Sequence, residues 1–203
     1  RGDKAQRAKL LRPMLAVCQA VAHAHGQGFV HRDLKPANVI VGGQGQTFVL
    51  DWGLARWADE PEDAPVELLE ASPSVTESND LTAYGQVLGT PRYMSPEQGR
   101  GELAERPSDV YALGAMLYAI TYGRALPSED GNLPPDAFEP DVHGPAPAPA
   151  LVAIVRKCLA YDPRERYPDA GELAKDLGRF LDGRRVEAHV YSGAELFARF
   201  VDR

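Results

Sequence analysis

The 203-residue sequence lacks the features that mark several specialised classes of protein. No apolar run reaches the roughly 20 residues that a membrane-spanning helix needs. The first residues, RGDKAQRAKLLRP, are polar and hold no apolar core of a signal peptide. The formal net charge is −7, whereas binding to nucleic acid or anionic membranes favours a basic surface. We therefore expect a cytoplasmic protein with no nucleic-acid partner and no membrane contact from this segment; anchoring of a parent protein outside it stays open.

Cysteine is scarce, and an initiator methionine is absent. The two cysteines, Cys18 and Cys158, each lie in an apolar helical pattern, so we interpret them as buried thiols of a reducing compartment and not as a disulfide. His23 and His25 resemble a metal pair, but residues two apart point to different sides of a helix. We interpret both histidines as structural. The missing methionine indicates a chain cut from something longer.

What is present predicts a mainly helical unit with one small hairpin. Hydrophobic residues make up 44% of the chain, enough to bury the core of one domain or one large lobe. Apolar periodicity predicts helices at 10–25, 108–122, 150–160, 169–181 and 193–201. The 108–122 helix is apolar almost all round and should be central, with Ser108 or Asp109 capping its start. Two β-branched runs, 38–41 and 47–50, predict a hairpin across a glycine-rich turn.

Residues 57–88 form an acidic stretch that contains no lysine or arginine. This composition predicts a long surface loop. It contains five serine and threonine residues that phosphorylation could modify, and Arg32 could then hold the phosphate. A plain solvated insert explains the same composition, and both interpretations stay open. The five residues are Ser72, Ser74, Thr76, Ser78 and Thr82.

The stretch HRDLKPANVIVGGQGQTFVLDWG, residues 31–53, concentrates the side chains that phosphoryl transfer requires. That reaction needs a carboxylate to accept a hydroxyl proton, oxygen ligands for Mg²⁺, and a cation near the moving phosphate. Asp33 could serve as the base, Lys35 as the cation, and Asn38 and Asp51 as the metal ligands. The hairpin between Asn38 and Asp51 would bring the two ligands together.

These motifs resemble those of protein kinases. HRDLKPAN is similar to the kinase catalytic loop, DWG to the metal-binding DFG triplet, and SPE at 95–97 to A-P-E. GTPRY at 89–93, with Lys35, resembles the serine/threonine class, and DWGLA, YMSPEQ and RRVEAHVYS resemble its bacterial, eukaryotic-like members. The resemblance implies a protein-kinase-like C-lobe of mainly α structure (an α+β family fold) at 1–183. Its activation segment would be 51–97, and 184–203 would begin a linker or further domain.

The resemblance also implies roles for single residues and a set of cofactors and partners. ATP would be the phosphoryl donor, with Mg²⁺ or Mn²⁺ on Asn38 and Asp51, and the acceptors would be hydroxyls of protein substrates. Asp33 would be the base, and Lys35 would contact the phosphate. Thr90 would touch Asp33 and Lys35. Asp109 would brace the backbone of His31 and Arg32, and Arg166 would pair with Glu97. Two departures, Trp52 for Phe and Ser95 for Ala, are small.

The N-lobe of the kinase fold is missing from the sequence. No glycine-rich loop with a following V-A-x-K is present, and the G-x-G-x-x-A match at 99–104 has no strand before it, so it is a false positive. We therefore expect the isolated chain to be inactive, although the complete protein would be a serine/threonine kinase. The alternatives are a truncated or pseudokinase-type binding module without catalysis, and a small-molecule phosphotransferase. The sequence identifies neither the substrate protein, the activating signal nor the oligomeric state.

Overall fold

The computed structural model describes residues 4–43, 45–57, 91–128, 130–140 and 146–193. Four predictions fall largely or wholly outside these ranges: the activation segment at 51–97, the acidic insert at 57–88 within it, the contact of Thr90 with Asp33 and Lys35, and the helix at 193–201.

Helices dominate the described part of the chain, as the apolar periodicity predicts. The four longer helices agree with the predicted ones to within two residues at each end, and the hairpin lies where the β-branched runs place it. In chain order the elements are α1 (Lys4–Lys9), α2 (Leu11–Gly26), β1 (Phe29–Val30), β2 (Val39–Val41), β3 (Thr47–Val49), β4 (Arg56–Trp57), α3 (Pro96–Gly99), α4 (Arg106–Tyr122), α5 (Pro149–Cys158) and α6 (Ala170–Leu181).

The strands form two separate antiparallel pairs. β2 pairs with β3 in the register Val39 to Val49, which is the predicted hairpin. β1 pairs with β4, with Phe29 opposite Trp57, and the two rings lie 4.1 Å apart between centroids. The second pair joins the segment before the catalytic-loop-like motif to the segment after DWG. Both ends of the 31–53 stretch are thereby held together.

Helix α4 forms the centre of the hydrophobic core. Tyr111, Leu113, Leu117 and Tyr118 are each at most 1% exposed, as expected for a helix that is apolar almost all round. Helix α5 packs against α4, while α2 packs against α6. At the α4–α5 contact, a Cβ placed on Gly114 would overlap Cys158, so glycine is needed for the two backbones to approach this closely.

The start of α4 differs from the prediction that Ser108 or Asp109 caps it. The helix begins at Arg106, and Glu105 is the N-cap in a reciprocal capping box with Ser108. Pro107 in the first turn is compatible with this earlier start, because proline lacks the N–H that has no helical partner there. The predicted cap was wrong because Ser108 is the third residue of the helix, where its hydroxyl accepts a hydrogen bond from Glu105 N at 3.2 Å, and Asp109 bonds to the backbone of His31 and Arg32.

Both cysteines are free and buried, as predicted. Burial raises the pKa of the Cys18 thiol to about 12, so this group is an inert hydrophobic residue of the core. His25 is likewise buried, and within the described ranges no group of three histidine, cysteine or acidic residues could hold a metal. Among the helices that the structure describes, none is both long enough and apolar enough to cross a membrane.

Candidate functional site

The hairpin brings Asn38 and Asp51 to the same end of β2 and β3. Asn38 immediately precedes β2, and its backbone oxygen accepts a hydrogen bond from Leu50 N at 2.8 Å. Asp51 is the next residue after Leu50 and lies exposed at this end. Two residues thirteen positions apart in the sequence therefore become neighbours through one strand pair.

Asp33, Lys35 and Asn38 form a hydrogen-bonded cluster beside this end of the hairpin. Lys35 Nζ lies 2.7 Å from Asp33 Oδ2, and the two side chains are only 22% and 14% exposed. Asn38 Nδ2 donates to the backbone oxygen of Asp33 at 2.8 Å and to its Oδ2 at 3.2 Å. Because both side chains that bond to Asp33 converge on Oδ2, Oδ1 is the carboxylate oxygen that the described residues leave available to another group.

Asp109 holds the backbone of the motif from the central helix, as the resemblance implied. Its Oδ2 accepts a hydrogen bond from His31 N and its Oδ1 accepts one from Arg32 N, both at 2.8 Å. His31 is fully buried, and its Nδ1 accepts from Asp33 N at 3.3 Å. With Nδ1 accepting, Nε2 carries the proton and donates to Leu50 O at 3.0 Å. One histidine ring thus joins the loop that carries Asp33 to the strand end that carries Asp51.

Two residues of the site have left-handed backbone conformations. Arg32 has φ 71° and Asp51 has φ 61°, and within the described ranges no other non-glycine residue has positive φ. Such conformations cost free energy and are concentrated at functional sites. At Arg32 the neighbouring groups hold the conformation: Asp109 accepts from its N–H, and Gln98 Nε2 donates to its backbone oxygen at 2.8 Å.

Trp52 packs against the site in the position where the kinase motif has phenylalanine. Its ring lies 4.5 Å from the His31 ring between centroids, and its Nε1 donates to Val49 O at 3.1 Å. The larger aromatic residue therefore fits beside His31.

Glu97 and Arg166 form a buried, bidentate ion pair, which was predicted from the resemblance. Arg166 Nη1 and Nη2 donate to the two carboxylate oxygens of Glu97 at 2.7 and 2.8 Å, and Ser108 Oγ adds a third bond at 2.7 Å. Burial alone would raise the pKa of Glu97. The hydrogen bonds from Arg166, the backbone and Ser108 outweigh burial, so the pKa of Glu97 lies below its ordinary value. Glu97 is therefore ionised at neutral pH.

Sequence reasoning missed His25 and Gln98 as contributors to the site. His25 Nε2 lies 2.9 Å from Asp109 Oδ2. His25 therefore holds Asp109 in the position from which Asp109 bonds to the backbone of His31 and Arg32. No local pattern signals this long-range contact. Gln98 could have been found, because Ser95-Pro96-Glu97-Gln98 matches the S-x-x-Q capping box that starts α3.

Comparison with known proteins agrees with this geometry. The family model described as "Protein kinase domain" matches residues 3–176, most of the chain. The chain belongs to the protein kinase family. Serine/threonine-protein kinase PknD of Protochlamydia amoebophila is 39% identical over an alignment of 189 positions, which covers 86% of this chain and 19% of that protein. PknD of Chlamydia pneumoniae is 37% identical over an alignment of 177 positions, which covers 82% of this chain and 18% of that protein.

Relatives in other bacteria bear the same kind of name. A probable serine/threonine-protein kinase of Streptomyces coelicolor is 34% identical over an alignment of 207 positions, which covers 95% of this chain and 27% of that protein. These bacterial relatives confirm the resemblance to the eukaryotic-like serine/threonine kinases of bacteria. The chain spans about a fifth to a quarter of the length of the relatives described here.

Proposed function

We propose that this chain supplies the catalytic loop and the metal-binding side of a serine/threonine kinase that transfers the γ-phosphoryl group of ATP to hydroxyls of proteins. The observation that carries the proposal is the arrangement around Asp33. Its Oδ2 is held by Lys35 and Asn38, and its Oδ1 is left to accept the proton of an incoming hydroxyl. Lys35, two residues away, also places a positive charge beside the position of the transferred group.

The donor set at the hairpin end suits Mg²⁺. The amide nitrogen of Asn38 donates to two acceptors on Asp33, so the oxygen of the amide is the atom that remains for a cation. Asp51 adds an exposed carboxylate at the same end. Magnesium takes oxygen ligands from a few protein groups together with substrate phosphates, and when bound it neutralises charge on those phosphates.

The apolar surface around the hairpin supports a second lobe in the complete protein. Seven large apolar residues of this region are each at least 36% exposed: Ile40, Val41, Phe48, Leu50, Trp52, Leu54 and Trp57. Exposed apolar side chains gathered in one region often mark an interface. We propose that the N-lobe covers this face and holds ATP against Asn38 and Asp51, and that the chain alone therefore transfers no phosphate.

The two buried free thiols support a reducing environment for this lobe. We accordingly propose that it works in the cytoplasm.

The test of the proposal uses the complete protein that contains this sequence. Transfer of labelled γ-phosphate to a protein acceptor and binding of ATP with Mg²⁺ would be measured for the wild type and for Asp33→Asn. Asparagine keeps the shape of the side chain but cannot accept the proton, so we expect transfer to fall roughly 10²–10⁴-fold while nucleotide binding persists.

Asp136→Asn is the matched control, because Asp136 is exposed and makes no side-chain hydrogen bond that the described structure shows. It should leave both measurements unchanged. Unchanged transfer in Asp33→Asn would exclude Asp33 as the base. A wild-type protein that binds partners but transfers no phosphate under any metal or acceptor condition would instead favour the binding-module hypothesis.

A further inference from the structure

The residues that follow α6 fold back onto the lobe. Arg184 N donates to Arg179 O at 2.7 Å, which turns the chain after the helix, and Gly183 has the positive φ of 67° that this turn needs. Val186 is then only 3% exposed, and Val186 N donates to the hydroxyl of Tyr191 at 3.0 Å. The match to the kinase family model ends at residue 176, so this returning segment lies beyond it.

The segment is bonded to one buried carboxylate of α6. Asp176 is 1% exposed, and two successive backbone N–H groups donate to it: Glu187 N at 2.6 Å and Ala188 N at 2.9 Å. From the lobe itself, Tyr167 Oη donates at 2.8 Å and Arg179 Nη1 lies at 3.4 Å. Half of the four groups around this carboxylate therefore come from the returning segment.

A buried aspartate needs these partners, because burying a carboxylate without them is strongly unfavourable. Burial alone would raise the pKa of Asp176, but the bonds from the two backbone amides, Tyr167 and Arg179 outweigh it and place that pKa below its ordinary value. Hydrogen bonds to an ionised acceptor are roughly twice as strong as neutral ones. If the segment left, Tyr167 and Arg179 would be the only partners of Asp176 among the described residues.

An ion pair on the protein surface also connects the returning segment to α6. Arg179 Nη1 lies 2.6 Å from Glu187 Oε1, so the residue that borders Asp176 also pairs with the returning segment. This pair is solvent-exposed and adds little by itself. The buried side chain of Val186 and the bonds to Asp176 carry most of the attachment.

We propose that residues 184–191, here called the strap, are a docked part of the kinase lobe, with Asp176 as their anchor and Val186 as their apolar contact. The strap is thus not the beginning of a free linker. It fixes the point from which the rest of the polypeptide leaves the lobe. It also adds a packed segment to α6, whose first residue, Ala170, donates its N–H to Nδ1 of His25 behind the catalytic loop.

Hydrogen exchange followed by mass spectrometry on the complete protein tests the strap. In the wild type the amides of Glu187 and Ala188 should exchange far more slowly than those of an unfolded peptide. Val186→Ser should speed their exchange by roughly tenfold or more, because docking loses its apolar contact. Val190→Ser is the matched control: the same substitution in the same strap, at a side chain that is 92% exposed. It should leave exchange unchanged.

Asp176→Asn tests the anchor, since the amide keeps one acceptor oxygen but presents an NH₂ group toward a backbone donor. We expect faster exchange in the strap while amides of α2 and α4 stay protected. If Asp176→Asn unfolds the lobe, the comparison of Val186→Ser with Val190→Ser still shows whether the strap is docked. Wild-type strap amides that exchange at unfolded rates would overturn the proposal, and so would equal exchange in Val186→Ser and Val190→Ser.

Discussion

His25 and Asp109 lie 84 positions apart in the sequence and meet in the core with 2.9 Å between Nε2 and Oδ2. Ala170 N donates to Nδ1 of the same ring at 3.2 Å, so the proton of His25 is on Nε2 and is donated to Asp109. Asp109 thereby accepts three hydrogen bonds, from His25, His31 N and Arg32 N. The backbone of His31 and Arg32 is therefore held by the carboxylate of Asp109 on α4, and His25 on α2 holds that carboxylate in place.

Asp109→Asn should destabilise the lobe. The amide can accept some of the three hydrogen bonds, but its NH₂ group faces another donor and leaves a buried group unpaired. We expect the free energy of unfolding to fall by about 1–3 kcal/mol, measured by denaturant titration. Asp136→Asn makes the same chemical change on the surface and should shift this free energy by less than about 0.5 kcal/mol. Equal losses in the two variants would contradict the role of Asp109.

The Glu97–Arg166 pair predicts a dependence of stability on acid. The pKa of Glu97 is below the ordinary value of about 4.3. The stabilisation from its ionised form is therefore fully present above that ordinary pKa, and it is lost as the pH falls through the lowered one. At neutral pH, Glu97→Gln leaves Arg166 buried without a counter-charge and should reduce the free energy of unfolding by about 3–5 kcal/mol.

The difference between the wild type and Glu97→Gln should shrink on acidification, because protonated Glu97 is also neutral. Denaturant titrations at pH 7 and at successively lower pH would measure this narrowing. Glu165→Gln provides the control, since Glu165 is exposed one residue before Arg166. If the difference in free energy of unfolding between the wild type and Glu97→Gln stayed constant down to the lowest pH measured, the ionised pair would not be the cause of that difference.

The site was predictable where its contacts are local. Asp33, Lys35, Asn38 and Asp51 fall within twenty residues, and the β-branched runs predicted the hairpin that joins them. The buried central helix was equally clear, because an all-round apolar pattern leaves few alternatives. The roles of Asp33, Asn38 and Asp51 in catalysis remain predictions, and Thr90 lies outside the described residues.

The errors and omissions occur where one residue serves a distant part of the fold. Ser108 and Asp109 looked like helix caps, but the N-cap is Glu105. The Ser108 hydroxyl accepts from Glu105 N within the capping box and also donates to Glu97, while Asp109 bonds to His31 N. Asp176 lies in the helix predicted at 169–181, and the apolar periodicity that predicts this helix assigns the residue no partner. Two of the groups that bond to it, Glu187 N and Ala188 N, are backbone groups eleven and twelve positions away, and no side-chain pattern encodes them.

Asp51→Asn should separate activity from stability. Asparagine tolerates the left-handed conformation that Asp51 has at φ 61°, and the exposed carboxylate makes no hydrogen bond within the described residues. We expect the free energy of unfolding to change by less than about 0.5 kcal/mol. Phosphoryl transfer by the complete protein should fall on the order of 10²-fold or more, because a charged metal ligand is lost.

Raising the Mg²⁺ concentration should recover part of the transfer in Asp51→Asn if the defect is in metal binding. Asp182→Asn, an exposed aspartate with a surface partner in Arg184, is the control and should show neither the loss nor the recovery. A large loss of stability in Asp51→Asn, with transfer unchanged, would mean that this carboxylate is structural.

Two glycines in helices should respond in opposite directions to the same substitution. A Cβ at Gly114 of α4 would overlap Cys158 at the end of α5 and would approach Leu159, the next residue. Gly114→Ala should therefore lower the free energy of unfolding by about 1–3 kcal/mol.

At Gly178 of α6 no described atom outside the neighbouring helix backbone lies within 4 Å of a Cβ, so alanine only restricts the unfolded chain. Gly178→Ala should raise the same free energy by about 0.4–1 kcal/mol. Thermal and denaturant unfolding of the two variants would measure these changes. If Gly114→Ala left the free energy of unfolding unchanged, α4 and α5 would have to lie farther apart than described.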